Sequence, residues 1–369
     1  MKMRRQITGF TLVEVLVAAT IVVILMGILL SMTDQTQRLM KGTSSKVEQF
    51  QGARVAFESM TRRLAQATLN TYWDYQYAPN AKPGAPPIGY QRSSELRFVS
   101  GVTNTLTGGT GTNGYTRPGH SVFFHAPNGY VSDQKTYGVL DHLINLWGYF
   151  VEIGSDADSL PQFLQNLVPA RTRFRLMELR QPSEQLMTYQ YQQVAAAPTF
   201  SQGAAWFAPL VTATTRPTRV LAENIVALVV LPRLSKSDEQ LWMTQNGSRT
   251  PPILAPLYSY DSTNNTVTDP ILNPHNQLPP VVQVAMIAID EPSAQKLQDQ
   301  FGTDPNLGVS YSSLFRNPAV LEDDPSTAAP DDGDLSKLAA ILASQRVSYR
   351  IFSTNVSIRG AKWSRNQSK

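Results

Sequence analysis

The sequence predicts an α+β protein, a long amino-terminal helix packed on an antiparallel β-sheet with large loop insertions, and three observations carry that prediction. The first proline is Pro79, so nothing before it forbids a continuous helix. Apolar residues from Val47 to Ala67 recur every three or four positions. Beyond residue 90 the apolar runs are short and separated by turn-forming residues, the pattern of strands.

Residues 1–9 form a basic leader containing Lys2, Arg4 and Arg5. Without those three side chains the net charge falls from +4 to +1, so the basic balance belongs to the leader and does not point to a nucleic-acid partner. There are no cysteines, which excludes disulfides, thiolate metal sites and thiol nucleophiles.

From Phe10 to Met32 the only ionisable residue is Glu14. About 20 apolar helical residues cross a bilayer core, so 10–32 reads as a membrane span. The positive charges before it predict a cytoplasmic amino terminus and an extracytoplasmic body. A secretory signal peptide is the competing reading, but "SMTDQTQRLMKG" after the span offers no small-residue cleavage site. A lone carboxylate in such a span is costly and asks for a partner or a function, unless it lies shallow enough to stay hydrated.

Residues 33–70 continue as an amphipathic helix whose stripe is Val47, Phe50, Ala53, Phe57, Met60, Leu64 and Ala67. Gly42 is its weak point, and Glu58 with Arg62 makes a favourable i,i+4 pair. The body, 71–369, opens with "NTYWDYQYAPNAKPGAPP", read as a loop whose aromatics form either a stacking platform, for which no basic cluster lies nearby, or, more simply, a lid over the core. Strands are expected at "SELRFVS", "SVFFHAP", "WGYFVEIG", "RTRFRLMELR", "ENIVALVVLPR", "VVQVAMIAID" and "RVSYRIFSTNVSIRG". Short helices are expected at "PSAQKLQDQF" and "LSKLAAILASQR", and loops at 79–93, 101–118, 232–279 and 316–334.

Candidate chemistry is sparse. His120 and His125 flank "SVFF" at a spacing that puts them on opposite strand faces, and His142 and His275 stand apart. No metalloprotease, nucleophile-elbow, phosphate-loop or dinucleotide motif occurs, so no catalytic residue and no enzyme activity are expected. The glycine-rich stretch at 101–114 lacks a phosphate-loop lysine and reads as a flexible loop. Arg171, Arg173 and Arg175 share one strand face, read either as a nucleic-acid surface or, more simply, as the polar outer face of a half-buried sheet.

"GFTLVE", with basic residues upstream and an apolar helix downstream, resembles the class III signal of type IV pilins and pseudopilins. The resemblance implies cleavage by a prepilin peptidase between Gly9 and Phe10 and N-methylation of Phe10. It implies that Glu14 meets the charged amino terminus of a neighbouring subunit, in an inner-membrane protein that joins a type IV pilus or a type II secretion pseudopilus. The partners implied are other pilin-like subunits, the peptidase and the inner membrane. The runs "LAENIVALVVLPR", "LPPVVQVAMIAID" and "YRIFSTNVSIRG" resemble J-type pseudopilins and W-type minor pilins. The stretch "ARVAFESMTRRLAQATLNTYWDY" resembles the C-type protein of the Verru_Chthon cassette.

Some pseudopilins bind calcium, which makes Asp323, Asp324, Asp331, Asp332 and Asp334 in "EDDPSTAAPDDGD" candidate ligands. The spacing is not that of an EF-hand, and the prolines also suit a solvated loop. No other cofactor is expected. Two rival functions share these residues: a DNA- or surface-binding minor pilin on the same scaffold, and a signal-anchored periplasmic enzyme.

Overall fold

Helix α1, Leu12–Leu64, is the first element of the computed structural model, and it runs through Gly42 without a break. A single interior glycine costs about 1 kcal/mol, which a helix of this length absorbs. The structure describes residues 12–108, 114–140, 143–157, 161, 163, 167, 169–186, 206–302, 304, 306, 308–309, 313–323 and 332–364. The chain divides into two compact units, 1–49 and 50–369.

In the second unit the predicted stripe is buried: Ala53, Phe57, Met60, Leu64 and Ala67 all lie in the core. The helix ends at Leu64, earlier than the expected residue 70. Gln66 N–H donates to the Arg63 carbonyl and Ala67 N–H to that of Leu64, a tightened last turn. Thr68 N–H then bonds the His125 carbonyl, and Asn70 at φ 47° turns the chain away. Glu58 pairs with Arg54 at 2.8 Å, not with the expected Arg62.

Among the described residues all strand pairs are antiparallel, and they form three sheets where one was expected. Strands β1 (Tyr72–Gln76) and β2 (Gly89–Ser93) make a two-stranded ribbon. This corrects both the loop assigned to 79–93 and the aromatic cover assigned to 72–77, since Tyr72, Trp73, Tyr75 and Tyr77 are exposed.

The six-stranded sheet contains β3 (Phe98–Val102), β4 (His120–Ala126), β5 (Asn145–Ser155), β6 (Thr172–Gln181), β7 (Thr218–Glu223) and β9 (Tyr260–Asp261). Their order across the sheet is β7-β6-β5-β4-β3-β9. The three-stranded sheet has the order β11-β10-β8, from β8 (Ile225–Arg233), β10 (Val281–Ile289) and β11 (Tyr349–Ser357).

Helices α2 (Thr103–Thr107) and α3 (Ala208–Thr212) are short. The first falls inside the loop assigned to 101–118. Helix α4 (Lys236–Asn246) lies inside the loop assigned to 232–279 and is framed by its own caps. Ser235 accepts from the Asp238 N–H, and Gly247 takes the left-handed conformation. Helices α5 (Glu291–Phe301) and α6 (Asp334–Ser344) match the two expected short helices.

Strand β8 packs on β4, β5 and β6, so the two larger sheets face each other. Between them and the α1 stripe lies the main core, where Phe124, Tyr149, Leu176, Leu228 and Met286 meet. The opposite face of the six-stranded sheet is also covered, by Trp206, Phe207 and Val211 over Phe123, Phe150 and Leu179. Phe123 stacks on Phe207 with ring centroids 4.0 Å apart. Its ring lies where a Cβ on Gly148 would stand, so that close approach needs glycine. Each large side chain buried in this way contributes about 1.5–3 kcal/mol.

Candidate functional site

The first turn of α1 carries Glu14, and the apolar segment Leu12–Gln37 follows from it for 26 residues. At 1.5 Å per residue this is about 39 Å, more than the roughly 30 Å of a bilayer core. Its large side chains are exposed throughout, Leu12 by 81% and Ile24 by 61%. Three threonine hydroxyls within it are satisfied locally. Thr20 Oγ1 donates to the Leu16 carbonyl at 2.8 Å, Thr33 to Leu29 at 2.8 Å, and Thr36 to Met32 at 2.7 Å. Hydrocarbon demands that bookkeeping, because no water is present to satisfy a hydroxyl. Glu14 sits at the positive end of the helix dipole, where a carboxylate is favoured. Lys2, Arg4, Arg5, Gly9 and Phe10 lie outside the described residues.

The arginine reading is corrected by the structure. Arg173 and Arg175 are buried, 1% and 3% exposed, because the outer face of β6 is covered and not open. Arg173 donates to Glu291 Oε1 at 2.7 Å and to Gln295 Oε1 at 3.0 Å, both on α5. Arg171 reaches Asp156 at 3.2 Å and Glu291 at 3.4 Å. The Glu291 carboxylate feels burial pushing its pKa up, but Arg173 and Asn224 outweigh that and hold it below the ordinary value.

Arg175 belongs to a second buried cluster that the sequence did not disclose. Glu152, fully buried, is gripped by both terminal nitrogens of Arg216 at 2.5 and 2.8 Å. Arg175 lies 3.5 Å away and Arg117 3.6 Å away. The Arg175 and Arg216 guanidiniums also lie over the Tyr115 ring, at 5.2 and 5.1 Å. On the other face of the sheet Glu178 is bonded by Arg63 of α1, by Arg219 and by the Tyr149 hydroxyl at 3.0 Å. Planar forks suit such dry pairs, and each buried ion would cost several kcal/mol without its partner. Arg173 and Arg175 are thus internal ties, and Arg171, ion-paired with its side chain 43% exposed, does not make an open basic surface with them.

His120 and His125 do occupy opposite faces of β4. His120 donates through Nε2 to the Phe315 carbonyl at 3.1 Å and packs 4.3 Å from the Tyr258 ring. His125 stacks on Trp206 at 5.0 Å. Burial pushes both pKa values down to about 4, so both rings are neutral core members at neutral pH. His142 lies outside the described residues, and His275 adjoins Asn276.

Among the acidic residues, Asp323 accepts from Gly333 N–H at 2.9 Å and Ser336 Oγ at 2.7 Å, tying down the start of α6. Buried Asp334 accepts from Phe315 N–H at 2.6 Å. Among the described residues no three His, Cys, Asp or Glu side chains are grouped to hold a metal. Asp324 and Asp331 fall outside them, and Asp332 is within them.

Residues 4–30 match the family model described as the prokaryotic N-terminal methylation motif. The chain carries a prokaryotic N-terminal methylation motif. No curated protein and no solved structure matches the chain. The methylation motif takes in Gly9, Phe10 and Glu14 and extends over the exposed apolar helix as far as Leu30. It supports a precursor like those of type IV pilins and pseudopilins, anchored in a membrane. The long helix followed by antiparallel sheets agrees with the α+β architecture expected for such a chain.

Proposed function

We propose that the protein is a structural pilin-like subunit, processed after Gly9 and assembled through its amino-terminal helix into a type IV pilus or a pseudopilus. The observation that carries the reading is one coincidence. The methylation motif at 4–30 overlies a helix exposed along its whole apolar length, with Glu14 in the first turn. Removal of residues 1–9 would place a new ammonium at Phe10, four positions before Glu14 in the sequence. In a low-dielectric interior a carboxylate and an ammonium of adjacent subunits attract strongly, and either left alone is penalised. The basic leader would hold the amino terminus on the cytoplasmic side, with the body beyond the membrane.

Peptide mass spectrometry of protein from its native membrane tests the processing step. The expected mature amino terminus is N-methylated Phe10, and Gly9→Ala retains the leader. An intact Met1 terminus on the wild-type protein would sink the proposal. In a membrane-inserted Glu14→Ala variant, incorporation into sheared fibres is expected to fall at least tenfold while processing continues.

A further inference from the structure

One face of the β1–β2 ribbon is dominated by aromatic rings, and the other carries Tyr72, Asp74, Gln91 and Ser93. Its register sets Trp73 opposite Arg92 and Tyr75 opposite Tyr90, so these four side chains share a face. Tyr77 follows just beyond the paired residues, where the Ile88 N–H still bonds the Gln76 carbonyl. Tyr75 lies 5.4 Å from Tyr90 and 6.5 Å from Tyr77, ring centroid to ring centroid. Yet the rings are open to solvent, 43% for Trp73 and 51% for Tyr75, Tyr77 and Tyr90. Among the described residues most large aromatics elsewhere in the body are buried, so an aromatic face left open on an ordered ribbon is a candidate for an interaction surface.

Its neighbours define what fits. The Arg92 guanidinium lies 5.9 Å from the Trp73 ring and is held by Gln277 Oε1 at 3.1 Å and the Lys362 carbonyl at 3.0 Å. Arg92 also lines two clefts, of about 240 and 380 Å³, that share Asn276. The first adds Asn70, Thr71 and Lys362, the second Gln91, Ser93, Thr263 and Asn265. Among the described residues neither cleft is lined by a carboxylate.

We propose that this ribbon and its two clefts bind a polysaccharide built of pyranose rings. A pyranose presents a flat C–H face that packs on the electron-rich face of an aromatic ring. Its hydroxyls need donors and acceptors together, which amides and side-chain hydroxyls supply. A guanidinium fork suits neighbouring sugar oxygens or a uronic carboxylate. The combination disfavours a single nucleic-acid strand, which needs a cation near each phosphate, because the two strands carry a single cation, Arg92, and the anionic Asp74.

The test is calorimetric titration of the full-length protein in detergent micelles with cellohexaose and with hexagalacturonate. Binding to either is expected, weakened about tenfold or more by Trp73→Ala and by Tyr75→Ala, at the scale of a lost stacking contact. Neither change should move the thermal midpoint, and Phe163→Ala, at another exposed ring, should leave binding unchanged. Binding restricted to hexagalacturonate and lost in Arg92→Gln identifies a uronate, and equal binding of the two identifies a neutral chain. Binding of neither saccharide, binding indifferent to Trp73→Ala and Tyr75→Ala, or a response only to oligothymidylate or phosphatidylglycerol vesicles overturns the proposal.

Discussion

The helical segment Leu12–Gln37 and strand β8, Ile225–Arg233, are both apolar on every side, and they meet opposite fates. Each large side chain of the helix is exposed within its own compact unit. In β8 every residue from Ile225 to Leu231 is at most 5% exposed, enclosed by β4, β5, β6 and β10. The strand finds its cover within the chain, and the helix must find it outside. Apolarity alone therefore does not say where a segment goes. Length and supply do, since 26 helical residues span a bilayer and nine strand residues fit beneath a sheet.

Matched substitutions should break this comparison. Val230→Asp buries an unpaired charge between two sheets and is expected to unfold the body, a loss above about 4 kcal/mol, seen as rapid proteolysis. Ile24→Asp should leave the thermal midpoint of the body unchanged while weakening partition into membranes, read by flotation. Next in size is Glu152→Ala, which strands Arg117, Arg175 and Arg216 in a dry site. It is expected to cost about 3–5 kcal/mol by denaturant unfolding. Glu58→Ala, which breaks an exposed pair on α1, should cost only about 0.2–0.5 kcal/mol.

The effect of pH is expected to approach that of Glu152→Ala and to exceed that of Glu58→Ala. His120 and His125 have folded pKa values near 4, below the ordinary 6.5, so the unfolded chain takes up protons first as pH falls. Their stability is present in full above 6.5 and is lost progressively down to about 4, on the order of 3 kcal/mol for each ring. Unfolding midpoints measured across that window should slope less steeply in His125→Gln than in the wild type.

Much of the framework was legible in the sequence. The stripe from Phe50 to Ala67, the long strands and the helices α5 and α6 follow from periodicity and caps that act over a few residues. Helix α4 had the same signals in Ser235 and Gly247, hidden by the surrounding prolines. The ribbon was missed because the aromatics of "TYWDYQY" were given no strand partner, and theirs lies beyond the proline-rich turn, in "GYQRS". The buried arginines were misread for a different reason. Alternation along β6 shows which residues share a face, but not that residues 206–212 and α5 cover that face. Their counter-charges, Glu152 and Glu291, are 23 and 118 positions from Arg175 and Arg173. At the amino terminus motif and structure agree because both depend on residues next to one another in the chain.

Asn224 alone separates β7 from β8, and so joins the two larger sheets. Its φ of 61° makes the corner, its N–H bonds the Phe174 carbonyl of one sheet at 2.6 Å, and its carbonyl accepts from Ile289 of the other at 2.9 Å. Strand register in the two sheets is thereby set by a common origin. A slip of one residue in β7 would drag β8 with it and turn the inward row of β8 outward. The sheets behave as two leaves cut from one strand, and neither can peel away while the other keeps its alignment.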